Sequence, residues 1–101
     1  MANYTLTPEA DNDLTEIWLY GFKRWGLKQA NTYLLQLEER FETLFELPGL
    51  GVKRDEIRVG YRSYRESSHL VFYRKNNNKL EVIRILHKRM DIDSIFESNQ
   101  S

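Results

Sequence analysis

The sequence predicts an α+β domain with the element order β-α-α-β-β-β. Three observations predict it: a short β-prone segment at residues 4–7, two amphipathic helical patterns joined by a short connection, and three β-like runs after residue 60. Helices joined this closely pack as an antiparallel hairpin. We therefore expect the hairpin to cover one face of a mainly antiparallel sheet. The 101 residues fit a single domain spanning 1–101, with residues 97–101 as a frayed tail.

The first helix is predicted to begin at Thr7-Pro8. Thr7 can cap free backbone N–H groups, Pro8 suits a first turn, and Glu9 favours the positive end of the helix dipole. Gly26 ends this helix, and a second one runs over about residues 27–47 until Pro48-Gly49 stops it. The apolar stripes of the two helices predict four core residues between the hairpin and the sheet: Trp18, Leu34, Leu37 and Phe41.

The three later strands are predicted at about residues 61–66, 69–74 and 80–87. Ser67-Ser68 makes a tight connection, and residues 76–78, all asparagine, form a turn because asparagine tolerates positive φ. Connections this short force antiparallel neighbours.

The apolar side chains of these strands point to both faces of the predicted sheet. In the last strand, alternation places Ile83 and Ile85 on the helix side and Val82, Arg84 and Leu86 on the other. The hairpin covers only one face, so we expect a partner to cover the second, with Arg84 available to it. The alternative is that the C-terminal tail folds back over that face.

Composition and charge narrow the function classes. The absence of cysteine excludes disulfides and thiolate metal sites and suits a cytoplasmic protein. The N-terminus lacks the pattern of a signal peptide, and no apolar run is long enough for a membrane span. Residues 1–50 carry 4 basic and 8 acidic residues, whereas residues 51–101 carry 11 basic and 7 acidic ones. The C-terminal half therefore predicts a basic surface for nucleic acid or an acidic protein, unless the two halves neutralise each other.

Motifs of catalysis and of metal binding are missing. There is no phosphate-binding glycine loop, nucleophile elbow or His-Glu-x-x-His helix. His69 and His87 fall inside predicted strands, where structural histidines are the commoner case, and no spacing suggests a metal site or a cofactor. The remaining candidates are arginines, which suit charge stabilisation in RNA cleavage, phosphate contacts or an acidic peptide equally well.

Several segments resemble the ParE toxins of the RelE/ParE group. They are the opening Tyr4-Thr5-Leu6-Thr7-Pro8-Glu9-Ala10, the helix joint Arg24-Trp25-Gly26, and the stretches 55–64 and 68–74. The most specific is Val82-Ile83-Arg84-Ile85-Leu86-His87-Lys88-Arg89-Met90-Asp91. The resemblance covers about residues 4–96, and it rests on the order and spacing of these pieces more than on any one of them.

The resemblance implies a small RelE/ParE-like fold and a toxin that acts by binding. ParE-like toxins poison DNA gyrase, here expected through its A subunit, by stabilising the cleaved-DNA complex. A ParD-like antitoxin neutralises them by wrapping an acidic C-terminal segment around the toxin in a hetero-oligomer. It implies no cofactor, no membrane contact and no sequence-specific nucleic-acid binding. The residues expected to bind antitoxin or target are basic: Arg58, Arg62, Arg65, Arg74, Arg84, His87, Lys88 and Arg89.

Two other functions remain open from the sequence. RelE-type toxins cut messenger RNA on the ribosome with basic residues and a C-terminal tyrosine, and Lys53, Arg54 and Arg84 resemble remnants of such a site. The last tyrosine here is Tyr73, so that general acid–base group has no counterpart after the final strand. This departure favours gyrase poisoning over RNA cleavage. The other alternative is a non-toxic module that only binds antitoxin.

Overall fold

The computed structural model describes residues 3–98 and places two long helices on a five-stranded sheet. The strands are β1 (Tyr4–Leu6), β2 (Val52–Lys53), β3 (Arg62–Glu66), β4 (His69–Asn76) and β5 (Lys79–His87). The helices are α1 (Pro8–Trp25), α2 (Leu27–Glu46) and α3 (Ile92–Ser98), with a 3-10 turn at Pro48–Leu50. The strand order is β1-β5-β4-β3-β2, with β1 parallel to β5 and the other pairs antiparallel. The predicted α+β fold is thus confirmed.

Local sequence explains how the hairpin begins and turns. The Thr7 hydroxyl accepts a hydrogen bond from the Ala10 N–H (3.0 Å) and donates one to the Ile83 carbonyl (2.7 Å), so it caps α1 and fixes that helix to β5. Gly26 alone joins α1 to α2 at φ 95°, a conformation that favours glycine. Because only one residue joins them, the two helices turn back on each other and pack side by side.

The main core lies between the hairpin and the sheet. Leu37 and Phe41 of α2 are fully buried there against Tyr73, Leu80 and Val82, and Leu34 packs at its margin. These three core predictions are confirmed.

The prediction for Trp18 is wrong. The buried stripe of α1 runs through Ala10, Leu14 and Ile17, so Trp18 is turned about 100° away from it. Its indole N–H donates to the side-chain oxygen of Asn31 (2.8 Å), and its ring stacks on Phe22 with 5.3 Å between centroids. Trp18 therefore joins the two helices to each other and does not join them to the sheet.

A β-bulge changes which β5 side chains face the helices. Tyr73 pairs with Val82 while Phe72 pairs with Arg84, so Ile83 is an extra residue in β5. Val82 and Ile85 consequently pack in the main core, and Ile83 packs on the opposite face with Leu86. The predicted faces of Val82 and Ile83 are therefore wrong, because strict alternation cannot anticipate an inserted residue.

The C-terminal segment forms a helix that covers much of the second face of the sheet. Phe96 of α3 packs edge-on against Phe72 (5.0 Å) and Tyr61 (6.2 Å), with Leu86 beside them. The alternative in which the C-terminal tail folds back over this face is therefore confirmed for much of it, and a partner on the remaining open part stays a prediction. Glu97 and Ser98, at the start of the predicted frayed tail, belong to α3. Residues 99–101 of that predicted tail lie outside the described residues.

Candidate binding surfaces

A cleft of about 270 Å³ remains open beside α3 on the second face of the sheet. Its apolar walls come from the same face that α3 covers, whereas its rim carries charge. Three of the predicted site residues, Arg58, Arg74 and Arg84, converge on it from the 54–61 loop, β4 and β5. The rest of its lining comprises Thr7, Glu9, Ile57, Tyr61, Glu81, Ile83 and Phe96.

Arg84 is already bound within the chain. Its Nε and Nη2 donate to the two carboxylate oxygens of Asp13 in α1 at 2.8 and 3.0 Å, a bidentate pair. The same carboxylate accepts the backbone N–H of Ile85 (2.9 Å). These hydrogen bonds raise the pKa of Arg84, and only 18% of its side chain is exposed. A helix carboxylate therefore already pairs with Arg84, and the predicted contact of Arg84 with an antitoxin or target stays a prediction.

Arg58 is the cation of the cleft that keeps its charge uncompensated. Arg74 is paired with Glu81 at 2.6 Å. Arg58 is exposed, and its guanidinium carbon lies over the ring of Tyr61, 5.9 Å from the ring centroid. Within residues 3–98, no ion pair involves Arg58. The cleft is thus less basic than three arginines suggest: Arg58 lies beside an apolar floor, and the Glu9 carboxylate also lines the cleft.

The other predicted site residues do not join this cleft. Arg62 donates to the Gly51 carbonyl (2.7 Å) and Arg65 to the Ser67 carbonyl (3.0 Å), so both hold backbone turns. Lys88 and Arg89 are exposed in the turn after β5. His87 lies beside His69 at the opposite end of the sheet from the β4–β5 turn.

A second concavity of about 590 Å³ lies between the hairpin and that end of the sheet. Tyr20, Trp25 and Tyr33 of the hairpin face His69 and His87 across it. The two imidazoles meet edge-on with 5.5 Å between ring centroids, and the Tyr33 hydroxyl bonds the Nδ1 of His69 at 2.8 Å. Burial, and then the neighbouring His87, lowers the pKa of His69.

Two of the residues that resemble a ribonuclease site, Arg54 and Arg84, have structural partners, and so does the last tyrosine, Tyr73. Tyr73 is fully buried, donates to the Pro48 carbonyl (2.6 Å) and accepts the Gly51 N–H (2.8 Å), and burial raises its pKa. Arg54 pairs with Glu56 at 3.0 Å, as Arg84 does with Asp13. Across residues 3–98 there is no group of three or more histidine, cysteine or carboxylate side chains that suits a metal ion. No helix in that range is long and apolar enough to cross a membrane.

A comparison with known families shows to which family the chain belongs. Residues 4–92 match the family described as the ParE toxin of the type II toxin-antitoxin system, parDE. The chain belongs to the ParE toxin family. The ParE1 toxins of Mycobacterium tuberculosis and Caulobacter vibrioides are each 41% identical to this ParE-family chain, over 93 and 91 residues. The aligned regions cover 91% and 90% of this chain and 95% and 94% of theirs.

A solved structure shares the fold of this ParE-family chain at lower sequence identity. It is described as a chromosomal ParDE toxin–antitoxin system from P. aeruginosa, and it superposes with a TM-score of 0.71 at 19% identity. The match covers 86% of this chain and 96% of that one. The ParE fold is therefore retained where most side chains differ.

Sequence reasoning missed Asp13 as part of this surface. Asp13 comes three residues after Ala10 and four before Ile17, so it lies on the buried stripe of α1. A carboxylate on an apolar stripe calls for a cation or a backbone donor, because an unpaired buried charge is costly. The position of Asp13 on the apolar stripe of α1 was therefore the feature of the sequence that could have predicted its pair with Arg84.

Proposed function

We propose that this protein is the toxin of a type II pair and poisons DNA gyrase by binding it and stabilising the cleaved-DNA complex. The observation that carries the proposal is the match to the ParE family over residues 4–92, taken together with the absence of any tyrosine after β5. A toxin of this kind needs no general acid or base of its own, because the strand cleavage is performed by gyrase. We propose a cytoplasmic location, where gyrase works on DNA, and contact with the A subunit.

Inhibition of DNA supercoiling by purified gyrase tests this function. The toxin is titrated against a fixed amount of gyrase on relaxed plasmid, with a ParD-like antitoxin added in half of the reactions. Loss of supercoiling that the antitoxin restores supports the proposal. Unchanged supercoiling at a large molar excess of folded toxin contradicts it and favours a module that only binds antitoxin.

We further propose that the antitoxin docks an acidic, amphipathic segment in the cleft beside α3. The apolar floor formed by Ile57, Tyr61, Ile83 and Phe96 suits hydrophobic anchors, and Arg58 is placed to pair with a carboxylate. A segment that folds on binding can cover both features at once. Arg62, Arg65, His87, Lys88 and Arg89 remain proposed contacts outside the cleft.

Arg58→Glu tests the antitoxin site more cleanly than a change at Arg84. Replacing Arg84 would also break its pair with Asp13 and confuse binding with stability. We expect Arg58→Glu to weaken antitoxin binding about tenfold or more in calorimetry, because a desolvated charge pair becomes a repulsion. The matched control is Lys79→Glu at the exposed β4–β5 turn, which makes the same change in net charge. Equal, small effects from both variants would place the antitoxin elsewhere.

A further inference from the structure

The turn of the helical hairpin carries a charge opposite to that of the rest of the N-terminal half. All 8 acidic residues of the first 50 lie outside residues 17–37, whereas Lys23, Arg24 and Lys28 lie inside that range. The segment from 17 to 37 therefore has a charge of 3 − 0 = +3, within a half-chain whose net charge is 4 − 8 = −4. The acidic residues flank the segment on both sides, at Glu16 and Glu38.

The same turn exposes three aromatic rings. Tyr20, Phe22 and Trp25 are 59%, 44% and 61% exposed, although side chains of this size usually contribute to cores and interfaces. Tyr20 and Trp25 meet edge-on at 5.9 Å between centroids, and the Arg24 guanidinium lies 5.7 and 5.8 Å from their rings. We call these three rings and the three cations Lys23, Arg24 and Lys28 the cationic tip.

Stability of the fold does not account for the cationic tip. Lys23 and Arg24 suit the C-terminal end of α1, but Lys28 lies in the first turn of α2, where the helix dipole disfavours a cation. No ion pair within residues 3–98 involves any of the three cations. Unpaired cations beside exposed, mutually oriented rings indicate a ligand that is both anionic and planar.

We propose that the cationic tip binds single-stranded DNA without sequence preference. Lysine and arginine would contact the phosphates, while the exposed rings of Tyr20 and Trp25, with Arg24 close to both, offer flat surfaces on which unpaired bases stack. An acidic protein surface would satisfy the cations but would not use the ring faces in this way. This inference goes beyond the proposed function and does not depend on it.

The cationic tip is far from the cleft proposed for the antitoxin. Glu9 lines that cleft near the start of α1, and Trp25 is the last residue of the same helix. At 1.5 Å per residue, the two positions are roughly 24 Å apart along the helix axis. An antitoxin segment docked in that cleft alone would therefore leave the cationic tip open, whereas one that also reaches His87 would approach Tyr20 and Trp25, which line the same concavity.

Fluorescence anisotropy with a labelled, mixed-sequence oligonucleotide tests the proposal without gyrase. We expect the full-length protein to bind the single strand more tightly than the same sequence as a duplex. Three phosphate contacts predict a slope of about −2 for the logarithm of the binding constant against the logarithm of salt concentration. Lys23, Arg24 and Lys28 changed together to Gln should abolish most of this slope.

Matched variants distinguish DNA binding at the cationic tip from a general effect of the net charge of the protein. Lys53, Lys75 and Lys79 changed together to Gln alter the net charge equally at other exposed positions and should largely preserve binding. Trp25→Ala should retain the salt slope yet weaken binding about fivefold or more by loss of stacking, and Trp25→Phe should restore most of the affinity. Circular dichroism confirms that each variant is folded.

Three results would overturn the proposal. They are no salt-dependent binding by the wild type, equal losses in the two triple variants, or competition by polyglutamate as effective as by DNA. The last result would assign the cationic tip to an acidic protein. Because gyrase is absent from the assay, failure here leaves the proposal of gyrase poisoning intact, and failure to inhibit gyrase leaves this one intact.

Discussion

Asp13 is the residue on which the contact between α1 and the edge of the sheet depends most directly. Beyond Val82, β5 no longer has β1 beside it, so the Ile85 N–H would face an empty edge without the Asp13 carboxylate. The same carboxylate neutralises Arg84, whose side chain is only 18% exposed. One side chain thus satisfies three donors, two of which belong to the single charged guanidinium of Arg84.

We expect Asp13→Ala to lower the free energy of unfolding by about 2–3 kcal/mol, since it leaves a largely buried guanidinium unpaired. Urea denaturation followed by circular dichroism measures this change. The control is Asp11→Ala, an exposed position on the same helix turn, which should change stability by no more than about 0.5 kcal/mol. Equal midpoints for the two variants would show that the Asp13–Arg84 pair contributes little.

His69 gives the stability of the fold a predictable dependence on pH. Burial lowers the pKa of His69, the adjacent His87 lowers it further, and the more distant Asp13 opposes them. The Tyr33 hydroxyl contacts the Nδ1 of His69 and also donates to the Glu66 carbonyl (3.2 Å). Burial and His87 outweigh Asp13, so the surroundings of His69 favour its neutral form.

Because the folded-state pKa of His69 is lowered, its contribution to stability is present above the unfolded pKa of about 6.5 and is lost as the pH falls below it. We expect the free energy of unfolding to decrease as the pH is lowered from neutrality through that range. His69→Asn should reduce the slope of this decrease in a series of urea titrations. An unchanged slope in the variant would show that another group titrates.

At the level of elements, the link from α2 to the sheet depends on a glycine that leaves room for Tyr73. Gly51 donates its N–H to the Tyr73 hydroxyl and accepts a hydrogen bond from Arg62. A Cβ at this position would lie directly on the Tyr73 hydroxyl and 2.9 Å from the Ser63 carbonyl oxygen. Its φ of −76° is ordinary, so the requirement is for space alone.

We expect Gly51→Ala to destabilise the protein by about 1–3 kcal/mol through overpacking of a rigid site. Gly49→Ala is the natural control, because a Cβ there meets nothing within 4 Å. Differential scanning calorimetry should show a lower melting temperature for Gly51→Ala than for Gly49→Ala. A wild-type melting temperature for Gly51→Ala would mean that Tyr73 moves aside without cost.

Sequence patterns predicted the long elements well because each had a strong local signal. Helix α1 begins after Thr7 and ends before Gly26, and Pro48 follows α2. The two-residue turns between the later strands contain Ser67 and Asn77, whose φ values of 53° and 57° are the positive values that such short connections need. The short β2 was missed because two residues carry no periodicity. The helical nature of 92–98 was missed because three apolar residues near a chain end predict little by themselves.

The candidate site was less predictable because it depends on contacts between distant residues. The bulge at Ile83 reversed the faces of two residues, and the Asp13–Arg84 pair joins positions 71 residues apart. The sequence analysis included Arg58, Arg74 and Arg84 among eight basic candidates, but it could not tell which of them a carboxylate already holds. Local sequence thus located the surface and left its charge balance undetermined.

At the level of the whole molecule, the helical hairpin and α3 cover opposite faces of one sheet. The cleft beside α3 and the cationic tip remain as separate surfaces at the two ends of α1. The sheet therefore supports both surfaces, and the partners that we propose would meet side chains around its borders. This arrangement suits a protein whose effect comes from its partners rather than from a reaction of its own.

The measurement that tests this account most directly compares two activities of the same purified protein. One reaction contains gyrase, supercoiled plasmid and ATP, and detects linear DNA after detergent and protease treatment. The other contains programmed ribosomes and detects messenger RNA cleavage by primer extension. The account predicts linear DNA that depends on gyrase and disappears when antitoxin is added, with the messenger RNA intact. Cleaved messenger RNA without trapped gyrase would contradict it.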